Sequence, residues 1–244
     1  MNRTTDPDRS VVRLGAAAAI VGALLGAVGN LVHPVTPIGD PEGVARVIAE
    51  SGGWVPIHLA IVIGIVLMVG GLVAIREMID GGLAGALARL GLVAGVVGGT
   101  IGLVLVILDG VAARQLAEEW AAAPAGQRTT ALGLVHLNET INFALASLFN
   151  LVFAAATFIL FGLAVVLSPR FPGWLGWVAV AAGVLSIGAG IVQAAVGEPT
   201  DASRVLTIIG PTVITAWLLL MGILMLRRTS DRRIGRNARA ETVT

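Results

Sequence analysis

Three histidines, His33, His58 and His136, are the side chains of this sequence best suited to hold a metal ion or pass a proton. Each falls at the same end of an apolar stretch, and Asp109 and Glu139 fall at a similar level. Imidazole and carboxylate donors at one depth suit a divalent transition-metal ion. Two of the histidines would alternatively hold a haem iron from opposite faces. No spacing motif supports either chemistry, since HExxH, HxxxH and CxxCH are all absent. Histidines wetted at a membrane boundary account for the same pattern. The sequence has no cysteine, which excludes disulfides, thiolate metal sites and a cysteine nucleophile.

A second group shares one helix face. His136, Glu139, Asn142, Asn150 and Thr157 fall within an arc of about 120° at about 100° per residue, and Ala146 and Phe153 fill the gaps. Facing lipid, such side chains are costly, so the face is expected to line the interior of a bundle or a hydrated cavity. Asp109, His136, Glu139, Asn142 and Asn150 are therefore the candidate ligand-binding residues. The competing reading is helix-to-helix hydrogen bonding, above all for Asn150 and Thr157, at about 0.6 kcal/mol each. Gln193, Arg204 and Thr207 are expected at the same depth, which extends the polar groups into a vestibule. No nucleophile–base pair, phosphate loop or hydrolase signature accompanies them, so no catalytic residue is assigned.

The elements that must position these groups are membrane spans. Hydrophobic residues make up 56% of the 244 and charged residues only 13%. Mean hydropathy is +0.91. Soluble domains carry about twice that share of charge. Six stretches are long and apolar enough to cross a bilayer as helices: Val11–Val32, Val55–Ile75, Leu90–Leu108, Ile141–Leu167, Trp174–Val196 and Val205–Leu226. The reading is an all-α, polytopic transmembrane bundle of six helices. Residues 1–10 form a cytoplasmic N-terminal tail, 11–228 the membrane domain and 229–244 a basic cytoplasmic tail. The first span reads as uncleaved, because its apolar run exceeds a signal-peptide core of about 7–15 residues.

Orientation follows from arginine, the only basic residue type present besides histidine. With both termini cytoplasmic, twelve of the sixteen Arg lie inside, leaving Arg46, Arg114, Arg128 and Arg204 outside. Nine of the fifteen acidic residues then lie outside. This matches the positive-inside rule, and the reversed topology violates it. The expected location is the cell inner (plasma) membrane, with the bilayer itself as first partner. The tail from Arg227 to Arg239 reads as a topology determinant; lacking interleaved aromatics, it does not suggest nucleic-acid binding.

The outer connections are the longer ones. Asp40-Pro41 reads as an N-cap followed by a helix-starting proline, with Val44, Val47 and Ile48 on one apolar face and Ser51-Gly52-Gly53 as the stop. A short helix lying on the outer interface is expected. The third span should continue as a helix through Trp120, where Arg114 and Glu118 can pair, and break at Pro124-Ala125-Gly126. Trp54 and Trp120 on one side, and Trp174 and Trp177 on the other, read as an aromatic belt. Gly210-Pro211 predicts a kink in the last span. Gly22 with Gly26, Gly91 with Gly95 and Gly99, and Gly98 with Gly102 form small-residue seams. They suit packing within the bundle or a homo-oligomer or other membrane partner, and they make the third span central.

The Asp40-Pro41 loop helix, the long outer segment after span three and Phe171-Pro172-Gly173-Trp174-Leu175-Gly176-Trp177 opening span five carry a likeness to known sequences. In these features nearly the whole chain resembles a six-helix bacterial integral membrane family known as a domain of unknown function. The resemblance implies an architecture and no activity. The functional expectation is a non-enzymatic small-ligand-binding, sensing or accessory protein with an outward-facing vestibule. Small-solute transport is the alternative, and a haem- or metal-dependent redox role comes third.

Overall fold

Apolar runs of this length must satisfy their own backbone groups, and in the computed structural model they do so as helices. The structure describes residues 8–79, 81–197 and 200–241, with side chains as far as 229 except those of 204 and 207. The first seven residues, Glu198, the side chains of Arg204 and Thr207 and those of the arginine-rich tail from 230 lie outside the described residues. Every regular element described is helical: α1 (Arg9–Val32), α2 (Pro41–Glu50), α3 (Trp54–Met78), α4 (Gly82–Ile107), α5 (Ala113–Ala122), α6 (Arg128–Phe149), α7 (Phe158–Val166), α8 (Gly173–Val196) and α9 (Asp201–Glu241). Two wider π-helical turns, Leu108–Ala112 and Asn150–Thr157, join α4 to α5 and α6 to α7. The six helical units long and apolar enough to cross a membrane are Arg9–Val32, Trp54–Met78, Gly82–Ala122, Arg128–Val166, Gly173–Val196 and Asp201–Thr229. The third and fourth extend furthest past the ranges read from hydropathy, because the polar stretches 109–122 and 128–140 continue them as helix.

The spans form a ring in chain order. α1 packs on α3, α3 on α4, α4 on the α6–α7 unit, that unit on α8, α8 on α9, and α9 returns to α1. Glycine lets them approach. A Cβ at Gly22 would lie 2.8 Å from the Gly64 carbonyl, one at Gly98 2.5 Å from the Phe153 nitrogen, and one at Gly162 2.6 Å from the Gly176 carbonyl. The seams read from the sequence are thus filled by the chain's own helices.

The two halves of the ring differ. At the end where α1 starts, Leu72, Ile75, Phe158, Phe161, Leu175, Trp217 and Met221 fill the centre, and Trp217 Nε1 donates to the Leu175 carbonyl at 2.8 Å. At the opposite end, where α1 stops and α3 begins, the centre is a cavity.

Two expectations about that end are corrected. The apolar face of α2 does not lie on lipid: Val44 and Ile48, together with Ala45, pack on Trp54, Ala113, Ala117, Trp120 and Val135, while Val47 is half-buried. For the same reason Trp54 and Trp120 are 2% and 6% exposed rather than part of a belt, while Trp174 and Trp177 remain exposed. The N-cap reading of α2 matches the structure, with Asp40 Oδ1 accepting from Gly43 N at 2.9 Å. Arg114 closes its other end by donating to the carbonyls of Ile48 at 2.6 Å and Ser51 at 2.9 Å, besides pairing with Glu118 at 2.7 Å. The break after Ala122 and the restart at Arg128 fall as expected. α9 runs through Pro211 as a helix, and Thr212 Oγ1 donates to the Ile208 carbonyl at 2.6 Å.

Candidate functional site

The cavity, about 420 Å³, has a polar end and an apolar end. Asn30, His33, His58, Asp109, His136, Glu139 and Asn142 line the first, and Ile65, Met68, Phe149, Phe153 and Ile214 the second, with Asn150 and Thr215 as its polar members. A volume of about 300–1,000 Å³ is the range of small-molecule sites. Beyond Phe153 the packed half of the ring begins.

Local chemistry puts each histidine in place. Pro34 stops α1 by forcing the residue before it out of the helical region, so His33 takes an extended backbone. Its Nδ1 turns back to the Pro34 carbonyl at 2.9 Å. Trp54 and His58 are one helical turn apart on α3, and His58 Nδ1 donates to the Trp54 carbonyl at 2.6 Å. His58 is 1% exposed. Its ring, that of His33 and that of Trp54 make a three-way contact, with centroids 4.8–4.9 Å apart.

Asp109 comes from the first π turn. The wider turn changes the helix phase, and Asp109 reaches His58, its Oδ2 3.1 Å from His58 Nε2. Neighbours hold the turn: Trp54 Nε1 donates to the Asp109 carbonyl at 2.8 Å and Asn138 Nδ2 to the Leu108 carbonyl at 3.3 Å. Gly110 gives His58 its room, since a Cβ there would lie 2.7 Å from His58 Cγ. On the other side of the carboxylate, Asn142 Nδ2 reaches Asp109 Oδ1 at 3.5 Å. Asn142 Oδ1 is buried and has no hydrogen-bond partner among the described residues. Burial pushes the His33 imidazole below its usual pKa, against the opposing pull of the Asp109 charge.

The sequence-derived candidates therefore divide. His33, His58 and Asp109 converge, their donor atoms lying within 4.8 Å of one another. His136 lines the cavity but does not join this group; it is exposed on α6, and Asp109 stands where a third histidine was expected. Glu139, Asn142 and Asn150 line the cavity as the arc on span four implies, and Asn150 Nδ2 also donates to Gln193 Oε1 at 2.8 Å. Thr157 leaves the face: the second π turn re-phases the helix, and its hydroxyl donates to the Val152 carbonyl at 3.1 Å. The haem reading does not fit the paired histidines, whose edge-to-face rings, 4.9 Å apart, leave no slot for a porphyrin between them. Trp54, Gly110 and Asn138 were not read as site residues. A Trp one turn before a His is the only signal any of them offered. Comparison with protein-family models, curated proteins and solved structures finds no match for this chain.

Proposed function

We propose that this chain is a multi-pass protein of the cell inner membrane, with both termini in the cytoplasm, that binds a small amphipathic molecule in an outward-facing cavity. It acts as a binding, sensing or accessory component rather than as an enzyme. The observation that carries this reading is the two-ended cavity, which offers a polar group and an apolar body separate places within one bundle. The unpartnered Asn142 Oδ1 adds an acceptor at the polar end. Orientation rests on the arginine asymmetry, which assigns the cavity end to the outside.

The test is solvent extraction of protein purified in nanodiscs, with mass spectrometry of what it retains. Wild type is expected to retain an amphipathic species that Ala146→Trp, which fills the cavity beside Phe149 and Phe153, releases without unfolding. Identical extracts from the two proteins would overturn the reading. Transport is the second reading. It is favoured by the two π turns in the cavity wall, an irregularity frequent at functional sites. The packed half beyond Phe153 supports binding over passage.

A further inference from the structure

Three atoms that are all acceptors when both imidazoles are neutral meet at the polar end of the cavity. A carbonyl oxygen can only accept, so the contacts of His58 Nδ1 with Trp54 and of His33 Nδ1 with Pro34 put a hydrogen on each Nδ1. In the neutral rings the lone pair is then on Nε2. The two Nε2 atoms face each other at 3.3 Å, and Asp109 Oδ2 stands 3.1 Å from that of His58. Lone pairs and a carboxylate this close repel one another unless a cation lies between them.

We propose that the cation is a divalent transition-metal ion of the zinc class, held by Nε2 of His33, Nε2 of His58 and a carboxylate oxygen of Asp109, with a fourth position open to the cavity. The distances fit such an ion. Tetrahedral bonds of about 2.0–2.1 Å place neighbouring donors about 3.3–3.4 Å apart. Two of the three separations, 3.3 and 3.1 Å, are already near that length. The third pair lies within 4.8 Å, and the two side chains that must move, His33 and Asp109, are only half-buried.

The supporting groups fit as well. Histidine ligands commonly donate their other ring N–H to a carbonyl or carboxylate, which sets the tautomer and aims the ring. Both histidines do so here, and Asn142 and Trp54 brace Asp109 through its Oδ1 and its backbone carbonyl. Nitrogen and oxygen donors without sulfur suit zinc, iron(II), nickel or copper more than calcium or magnesium. The donors come from the end of α1, from α3 and from the turn after α4, so the ion would tie three spans together. Metal binding does not depend on the apolar end of the cavity holding an organic molecule.

The competing occupant is a proton on His58 Nε2, shared with Asp109. Full-length protein in nanodiscs, loaded with Zn²⁺ and desalted, separates the two by elemental analysis, and Co²⁺ substitution reads the coordination in its visible spectrum. About one Zn²⁺ per chain is expected in wild type, in His136→Ala and in the cavity-filling Ala146→Trp. His33→Gln and Asp109→Asn should lower affinity by more than the roughly 10–100-fold that loss of a supporting group costs. Both variants spare the buried His58, and thermal unfolding without metal checks that they fold. Co²⁺ should give the intense bands of a four-coordinate site in wild type alone of these three. Wild type retaining no more zinc than the His33→Gln/Asp109→Asn double variant would overturn the proposal and leave the proton. Zinc retained fully by both single variants, or lost with His136→Ala as completely as with His33→Gln, would overturn it too.

Discussion

Gly110→Ala adds one methyl group where the structure has none to spare. The new Cβ would fall closest to His58 Cβ, and would lie 2.7 Å from His58 Cγ and 3.3 Å from His58 Cδ2. Comfortable carbon–carbon contact is about 3.5–4.0 Å, so the His58 side chain, and the stretch of α3 that carries it, must retreat by roughly 1 Å. It has little freedom to do so, being 1% exposed and anchored through Nδ1 to the Trp54 carbonyl. Overpacking of this kind costs about 1–3 kcal/mol. A ring displaced by that amount also carries Nε2 away from Asp109 and His33. The assay pairs unfolding in detergent with Zn²⁺ retention, and Gly133→Ala is the control: it lies on α6 with open space around its Cβ position. That exchange should be neutral or stabilising by up to about 1 kcal/mol, the helix-propensity difference. If Gly110→Ala matches Gly133→Ala in both stability and zinc binding, the close contact does not hold the site and the reasoning fails.

Arg114→Met removes the two hydrogen bonds that hold the end of α2, and amide exchange in Pro41–Glu50 should rise markedly while the spans stay protected. Unchanged exchange there would mean that the apolar contacts of α2 suffice. Asn150→Leu removes the bond to Gln193 and should destabilise by about 0.6–1.7 kcal/mol in steric-trap or detergent unfolding; Asn150→Leu and Gln193→Leu should combine less than additively. Because the chain has no native cysteine, single substitutions report sidedness cleanly. A membrane-impermeant maleimide applied to intact cells should label Gly39→Cys and not Thr229→Cys, and the reverse pattern would invert the proposed orientation.

Much of the fold was legible because one energetic demand dominates it. A backbone in hydrocarbon must bond to itself, so twenty apolar residues specify a helix whatever surrounds them. The spans, the Asp40 cap, the break after Ala122 and the close-packing glycines all follow from such local rules. The site was legible only by depth. Hydropathy puts His33, His58, His136, Asp109 and Glu139 at one level of the bundle, and nothing in their spacing says which of them touch. Trp54 and Trp120 were misread for a related reason: tryptophan at a span end belongs to the interface unless another element covers it, and α2 does.

What sequence alone determined, then, is which segments are helices and how far along each helix a polar group stands, since both depend on residues close together in the chain. Tertiary structure decided the azimuth. His33 and His58 are 25 residues apart, and His58 and Asp109 are 51 apart. Their meeting depends on how each span is rotated about its own axis. Seams such as Gly22 against Gly64 set those rotations, and so does the phase change at the π turn carrying Asp109, where one extra residue amounts to about 100°. Rotation of one helix against another leaves no trace in the periodicity of either, so only the packed bundle shows that the third partner is a carboxylate and not a histidine.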